Sequence, residues 1–414
     1  MNFEHIVTID GIDGSGKTTI VQLLTKREPS CYVNDRGNLT SLTLLHPSDL
    51  PEKFIYKGVY IILDASPSVC LSRINLRGFA DKWASSKWLH YFHKYYRMLV
   101  SKYNLFYIDT TCLSIEETYS AVIDIIKNKN DKYKMPCPDL VTDDVFNSLQ
   151  QVANGESKDV RLYNGYHLVK YIPSIYSHTQ QRAGIVPGSD VERMKMTKEI
   201  LLLFWLNGID HSYIYVGKKY TLTIPLDNYC DIPPVEIIYK GCWSGSDKHR
   251  YYDLPNKIDR FGNQIVKSIF NGELYEYIDP YVRIDLRNPN HVDGRPWGDY
   301  NLDDILANKF IDLCVKTNAL KTASIIKNFL LKINIYLVDC CFMYTSNGKM
   351  LYGEFSQDCG RYKYIGEDQL DNLDKDIWRA GGSSDLVLEK YKKMSSLVEN
   401  GMKKHLSDEL KNLL

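Results

Sequence analysis

Long apolar runs are missing from this chain. The longest, Ile200-Leu201-Leu202-Leu203-Phe204-Trp205-Leu206, stops far short of the ~20 residues of a membrane-spanning helix, which excludes membrane insertion by this route. A charge imbalance is missing too. The 51 Lys and Arg balance the 51 Asp and Glu, so no global basic field draws the chain to nucleic acid. Paired cysteines are also lacking. The 10 cysteines include no C-x-x-C, and adjacent Cys340 and Cys341 point in different directions. This disfavours zinc and disulfide frameworks and points to reduced thiols in a cytoplasmic compartment. Met1-Asn2-Phe3-Glu4 runs at once into a strand pattern, leaving no room for a signal peptide. No internal repeat or low-complexity tract occurs. What remains is ordinary globular composition, 44% hydrophobic and 25% charged. At 414 residues, two domains are expected.

The strongest positive signal lies near the start. Gly11, Gly16, Lys17 and Thr18 fit G-x-x-x-x-G-K-[ST], between the strand-like Ile6-Val7-Thr8-Ile9 and the helix-like Ile20-Val21-Gln22-Leu23-Leu24. Glycines let backbone N–H groups curl around a polyphosphate, and the helix aims its positive end at it. Gly11, Asp13, Gly14, Ser15, Gly16, Lys17, Thr18 and Thr19 are the expected ATP-binding residues. Lys17 would reach the β- and γ-phosphates and Thr18 would hold Mg²⁺.

Strands are predicted at 31–37, 58–64 and 105–109, and helices at 66–78, 88–100 and 114–127. Their alternation predicts an α/β domain over residues 1–130, a parallel sheet with helices on both faces. Asp-Gly-Ile-Asp-Gly-Ser-Gly-Lys-Thr-Thr, then Asp35-Arg36, then Leu-Asp-x-x-Pro-x-x-Cys-Leu-x-Arg-Ile-x-x-Arg-Gly up to Gly78, resembles the thymidylate kinase branch of the P-loop nucleotide kinases. The resemblance implies that Arg73 and Arg77 are lid arginines, catalytic together with Lys17 and Asp35. It implies that Asp35 holds the Mg²⁺ shell and that Arg36 faces the acceptor phosphate. An i, i+4 arginine pair on an exposed helix face would otherwise repel. Only Lys26 to Ser30 lie between the first helix and the Asp-Arg strand. The segment that carries much of the family's acceptor site is therefore absent, and thymidylate is not assigned as the acceptor.

Residues 131–157, charged and then proline-bearing, read as a linker with a helix over 141–153. From 158 to 400 the pattern changes to α+β. Strands are predicted at 168–172, 212–216, 220–224 and 235–239, and helices at 190–205, 302–316 and 322–333. A hairpin is predicted from strands 335–344 and 349–355 joined by Ser346-Asn347-Gly348. Residues 401–414 read as a tail.

Gly353-Glu354-Phe355-Ser356-Gln357-Asp358-x-x-Arg361 and Leu373-Asp374-Lys375-Asp376-x-x-Arg379, with Leu162-Tyr163-Asn164-Gly165 and Ile185-Val186-Pro187-Gly188 before them, resemble the SAICAR synthetase family. That family joins aspartate to a carboxylated imidazole ribonucleotide using ATP. The resemblance implies a substrate phosphate and carboxylate held by Lys240, Gly245, Ser246, Arg361 and Arg379, with Glu354 and Asp358 on the metal side. The sequence departs from the family at Tyr166, Cys341, Met343 and Gly353, where a lysine, a lysine, a glutamate and an acid are expected.

Two readings follow. One is an ATP- and Mg²⁺-dependent enzyme with two nucleotide-handling sites, a kinase plus an amide ligase acting on an unusual nucleotide. The other makes the second half a nucleotide-binding module that gates or localises the kinase. A motor driven by hydrolysis fits less well, because its extra domains and basic surface are lacking. The expected partners are a nucleoside triphosphate and nucleotide substrates, with neither membrane nor nucleic acid; a homo-oligomer is left open.

Overall fold

The computed structural model describes residues 5–78, 82–177, 182–227, 231–245, 258–287, 290–292, 295–297, 300–367 and 369–413. The first unit runs β1 (His5–Gly11), α1 (Lys17–Arg27), β2 (Cys31–Asp35), α2 (Leu39–Leu42), β3 (Val59–Asp64), α3 (Pro67–Leu76), α4 (Ser86–Tyr103), β4 (Phe106–Asp109) and α5 (Ile115–Asn128). Its four strands are all parallel, in the order β2-β1-β3-β4. The local signals are legible. Pro67 opens α3, Ser85 accepts from the Trp88 N–H at the start of α4, and a Ser114–Glu117 capping box starts α5. β3 is buried along its whole length, as a central parallel strand must be. Val59, Ile61 and Leu63 pack with residues of α1 and α5, while Tyr60 and Ile62 belong to the core that contains α4.

The helix expected over 141–153 is cut short. α6 spans only Asp143–Ser148, and β5 (Gln151–Asn154) follows where the helix was expected to continue. Then come β6 (Lys158–Tyr163), β7 (Tyr166–Tyr171), β8 (Ser174–Ser177), β9 (Arg182–Ile185), α7 (Ser189–Leu206), β10 (Tyr213–Val216) and β11 (Tyr220–Thr223). β5 pairs with β6 inside a five-stranded antiparallel sheet, β10-β11-β7-β6-β5. Its ladder outweighs the short helical pattern before it.

The rest runs β12 (Val235–Cys242), β13 (Val266–Ile269), β14 (Leu274–Leu286), β15 (Asn290–Val292), β16 (Arg295–Trp297), α8 (Asp304–Ala307), α9 (Cys314–Leu331), β17 (Ile335–Phe342), β18 (Gly360–Ile365), β19 (Leu370–Asn372), α10 (Asp376–Arg379) and α11 (Ser384–Leu413). Six of these strands form a second antiparallel sheet, β13-β14-β12-β17-β18-β19. The expected hairpin does not form as a ladder. β17 pairs with β12 and β18, and residues 349–355 join only through isolated bridges at Leu351. The two helices expected at 302–316 and 322–333 become short α8 and long α9.

The expected tail is the end of α11. Met402, Leu406, Leu410 and Leu413 are buried there, and Lys403 lies 3.4 Å from Asp49 of the first unit. One hydrophobic cluster runs through both units, from Tyr95 of α4 to Trp205 of α7 and Leu406 of α11. Buried His46 and Glu199 meet at 2.6 Å across the same seam, and Lys94 meets Asp210 at 2.9 Å. Among the described residues, no helix is long and apolar enough to cross a membrane.

Candidate functional sites

The loop between β1 and α1 needs its glycines. Gly11 has φ 137°, and a Cβ there would lie 1.8 Å from the Leu63 carbonyl oxygen. Gly14 has φ 81°, with a Cβ position 2.6 Å from the Cys70 carbonyl oxygen. Gly16 N-caps α1 and faces open space. Inside the loop, the Ser15 hydroxyl is buried without a partner among the described residues. The Lys17 ammonium is folded back, donating to the Ile12 carbonyl at 2.6 Å with Asp13 at 3.6 Å. Burial lowers its pKa, against the opposing pull of Asp13 and Asp10.

A cleft of about 260 Å³ opens in front, lined by Ser15, Gly16, Thr19, Arg73, Arg77 and Thr110. Arg73 and Arg77 do share it, but in different states. Arg73 is pinned, donating to the Gly14 carbonyl at 3.2 Å and to the Thr110 hydroxyl and carbonyl at 3.0 and 2.8 Å. Arg77 is exposed and has no ion pair among the described residues. The like-charge strain expected of the pair is thus relieved by carbonyls at one member. Thr18 and Asp35 are exposed, and pairing of Asp35 with Ile9 sets that carboxylate beside the end of β1. Arg36 adopts φ 69° and lies 3.7 Å from Asp13.

Asp10 escaped the sequence reading of the site. Fully buried, it accepts from the Gly11 N–H at 2.7 Å, Tyr60 OH at 2.7 Å, the Thr40 hydroxyl at 2.9 Å, Tyr96 OH at 3.1 Å and the Gly37 N–H at 3.2 Å. It locks the loop to β3, α4 and the segment after β2. A carboxylate at the carboxyl end of each parallel strand (Asp10, Asp35, Asp64, Asp109) was the available signal.

The second cluster lies on the six-stranded sheet. Lys240, Asp339 and Arg361 are direct cross-strand neighbours on β12, β17 and β18, so they share one face. Lys240 Nζ meets Asp339 at 2.5 Å and donates to the Ser244 carbonyl at 2.9 Å. Arg361 donates to Asp339 at 2.8 Å and Asp376 at 3.1 Å, and Arg379 also pairs with Asp376. Burial acts to raise the pKa of Asp339, but Arg361 and Lys240 outweigh it and hold it at about 2. Asp374, buried beside Asp376, is pushed up to about 6. Gly245 follows with φ 109°; Ser246 lies outside the described residues. The three expected cations therefore converge, though on carboxylates that an incoming anion must displace. On β14, next to β12, Arg283 pairs with Asp285 at 2.6 Å yet keeps Nε and Nη1 buried without a partner. That hydrogen-bonding capacity is not used within the described residues.

Glu354 and Asp358 do not fit a metal. Arg193 of α7 donates to both Glu354 oxygens at 2.9 Å, Lys158 of β6 lies 3.1 Å away, and the Ser356 hydroxyl donates at 2.8 Å. Asp358 accepts from Tyr391 OH and lies 3.6 Å from Arg193. Burial disfavours the Glu354 charge, but Arg193 and Lys158 reverse this and hold its carboxyl well below the usual range. Among the described residues, no group of three or more His, Cys, Asp or Glu side chains could hold a metal ion. Neither Arg193 nor Lys158 was foreseen, because Glu354 lies 161 positions from Arg193 and still further from Lys158 along the chain.

No family model matches the chain. It is 22% identical over 538 aligned residues to "Bifunctional cordycepin biosynthesis cluster protein 3" of Cordyceps militaris, covering 95% of this chain and 60% of that protein. The chain thus spans less than two thirds of that relative's length. Among solved structures it is similar to phosphoribosylaminoimidazole-succinocarboxamide synthase from Ehrlichia chaffeensis (17% identity, 60% of this chain and 98% of that chain, TM-score 0.48). It is also similar to SAICAR-synthase from Saccharomyces cerevisiae (15%, 61% and 95%, TM-score 0.47) and SAICAR synthetase from Pyrococcus horikoshii OT3 (19%, 61% and 98%, TM-score 0.45).

Proposed function

We propose that this chain is a nucleotide-metabolising enzyme whose amino-terminal unit, residues 1–130, transfers the γ-phosphoryl group of ATP. The observation that carries this reading is the glycine-wrapped loop at Gly11–Thr19. It leaves a buried lysine, and a buried hydroxyl with no partner among the described residues, behind a cleft overlooked by the exposed Arg77. Loop N–H groups and Lys17 would hold the β- and γ-phosphates, and Thr18 and Asp35 would hold Mg²⁺. Neither Thr18 nor Asp35 is engaged by another side chain among the described residues. Bound Mg²⁺ would supply charge neutralisation at the phosphate oxygens. Arg77 adds a second cation at the cleft, while Arg73 fixes α3 against the loop, so Arg73 acts by positioning. Arg36, beside Asp13 at the mouth of the site, would face the acceptor.

The second unit, which we begin at β5, would hold a nucleotide's anionic group against Lys240, Arg361, Arg379 and Arg283. Glu354, locked to Arg193, favours binding there over amide ligation. A relative whose name places it in a cordycepin biosynthesis cluster is consistent with nucleotide chemistry. The test is incubation with ATP, Mg²⁺ and a panel of nucleosides, nucleotides and amino acids, with products read by mass spectrometry. A phosphorylated nucleoside or nucleotide is expected. An amide-linked product that is lost in Arg361→Ala would restore the ligase reading, and no ADP formation with any panel member would sink the kinase reading.

A further inference from the structure

A cavity of about 360 Å³, within the range of small-molecule sites, lies on the seam between the two units, away from both clusters described above. α4 supplies Met98 and Lys102, and the segment between α2 and β3 supplies Leu50; α7 supplies Met194 and Lys198; the β10–β11 turn supplies Lys218. On α7, Val191, Met194, Lys195 and Lys198 follow i, i+3, i+4, i+7 spacing, so one helical face makes the wall. Arg193, which holds Glu354, projects from another face of the same helix.

The charge in this cavity is unbalanced. Four lysines line it against one carboxylate, Asp139, whose oxygens accept from Tyr215 OH and the Lys218 N–H, each at 2.6 Å. Lys195 is satisfied by Glu192 at 2.8 Å, but Lys198 reaches Glu199 only at 3.7 Å. Lys218 has an exposed contact with Glu52 at 3.6 Å, which water screens. Lys102 is half-buried and has no ion pair among the described residues. Burial lowers its pKa; Asp139 opposes this, and Lys198 and Lys218 add to the lowering. An apolar floor under converging ammonium groups suits a ligand with an anionic head and a flat apolar body.

We propose that this seam cavity binds a phosphomonoester of nucleoside-monophosphate size, its phosphate on Lys102, Lys198 and Lys218 and its body against Leu50, Met98 and Met194. Such a ligand neutralises the cluster and ties α4 of the first unit to α7 of the second. The site is independent of ATP chemistry at the glycine loop.

The experiment is calorimetric titration of the full chain with AMP, in parent, Lys17→Ala, Arg361→Met, Lys102→Met and Lys198→Gln proteins. Met keeps the aliphatic stem of Lys102, so without ligand Lys102→Met should melt no lower than the parent. A saturable AMP site should persist in Lys17→Ala and Arg361→Met and weaken about tenfold or more in Lys102→Met and Lys198→Gln. Binding that is indifferent to both lysine variants, or lost only in Lys17→Ala or Arg361→Met, overturns the proposal. Should a lysine variant fail to fold, parent protein is labelled with pyridoxal phosphate and borohydride and mapped by mass spectrometry. Label on Lys102 or Lys198 that AMP blocks supports the site; label confined to other lysines refutes it.

Discussion

Glu354→Gln separates two roles for one acid. The Arg193 side chain is 1% exposed and that of Glu354 6%, so their two 2.9 Å hydrogen bonds are shielded from water and salt. Removing the charge leaves Arg193 only the longer contact with Asp358 at 3.6 Å and leaves Lys158, 3.1 Å away, without its partner. Breaking a buried pair in this way costs about 3–5 kcal/mol. The loss is read as a lower urea midpoint at unchanged slope. Because folding depresses the Glu354 pKa below its ordinary 4.5, its contribution is complete above that pH and lost as pH falls below it. The stability gap between parent and Glu354→Gln should therefore narrow on acidification through that region. Arg193→Met combined with Glu354→Leu should recover part of the loss, since it removes both members of the bidentate pair, while Lys158 and Asp358 still lose their ion-pair partners. A metal ligand behaves differently. If Glu354→Gln unfolds like the parent, and Mg²⁺ stabilises the parent but not the variant, the structural account of this acid is wrong.

Gly14→Ala forces a Cβ to 2.6 Å from the Cys70 carbonyl oxygen at φ 81°. The left-handed conformation alone costs about 1–2 kcal/mol, and ATP binding, measured by fluorescent-analogue titration, should drop at least about tenfold. Deleting residues 401–414 removes buried Met402, Leu406, Leu410 and Leu413, each worth about 1.5–3 kcal/mol. Loss of the cooperative melt, or rapid proteolysis, is expected, whereas a native-like melt would show that the end of α11 is dispensable. Asp339→Asn leaves Lys240 without its carboxylate and Arg361 with Asp376 alone. It should destabilise the protein at neutral pH, where the carboxylate held at about 2 is fully charged. The same change should also increase the stabilisation gained from added phosphate, because those cations are released from their internal anion.

The first unit was legible because its signals are local. Capping residues, an uninterrupted apolar β3 and the glycine spacing all act within a few residues of one another. Where the pattern misled, tertiary pairing had decided the outcome. Gln151–Asn154 became a strand because β6 was there to pair with it, and 349–355 lost its ladder because β12 and β18 occupy both edges of β17. The tail was misread because α11 buries its apolar face against distant segments. Site residues divided in the same way. Lys240, Arg361 and Arg379 were singled out through motif resemblance; the sheet register sets Lys240 and Arg361 on either side of Asp339, and Arg379 joins from α10 through Asp376. Their pairing with Asp339 and Asp376 was not legible, nor was Arg193 behind Glu354, since ion pairing leaves no periodic trace.

If the glycine loop is the seat of ATP chemistry, phosphoryl transfer depends on Lys17. With γ-labelled ATP, Mg²⁺ and whichever acceptor gives product, parent and Lys17→Ala proteins of matched melting temperature are compared for label transfer. Transfer should fall about a hundredfold or more in Lys17→Ala, as expected for removing a phosphate-stabilising cation. Equal transfer by the two proteins would contradict that role for the loop.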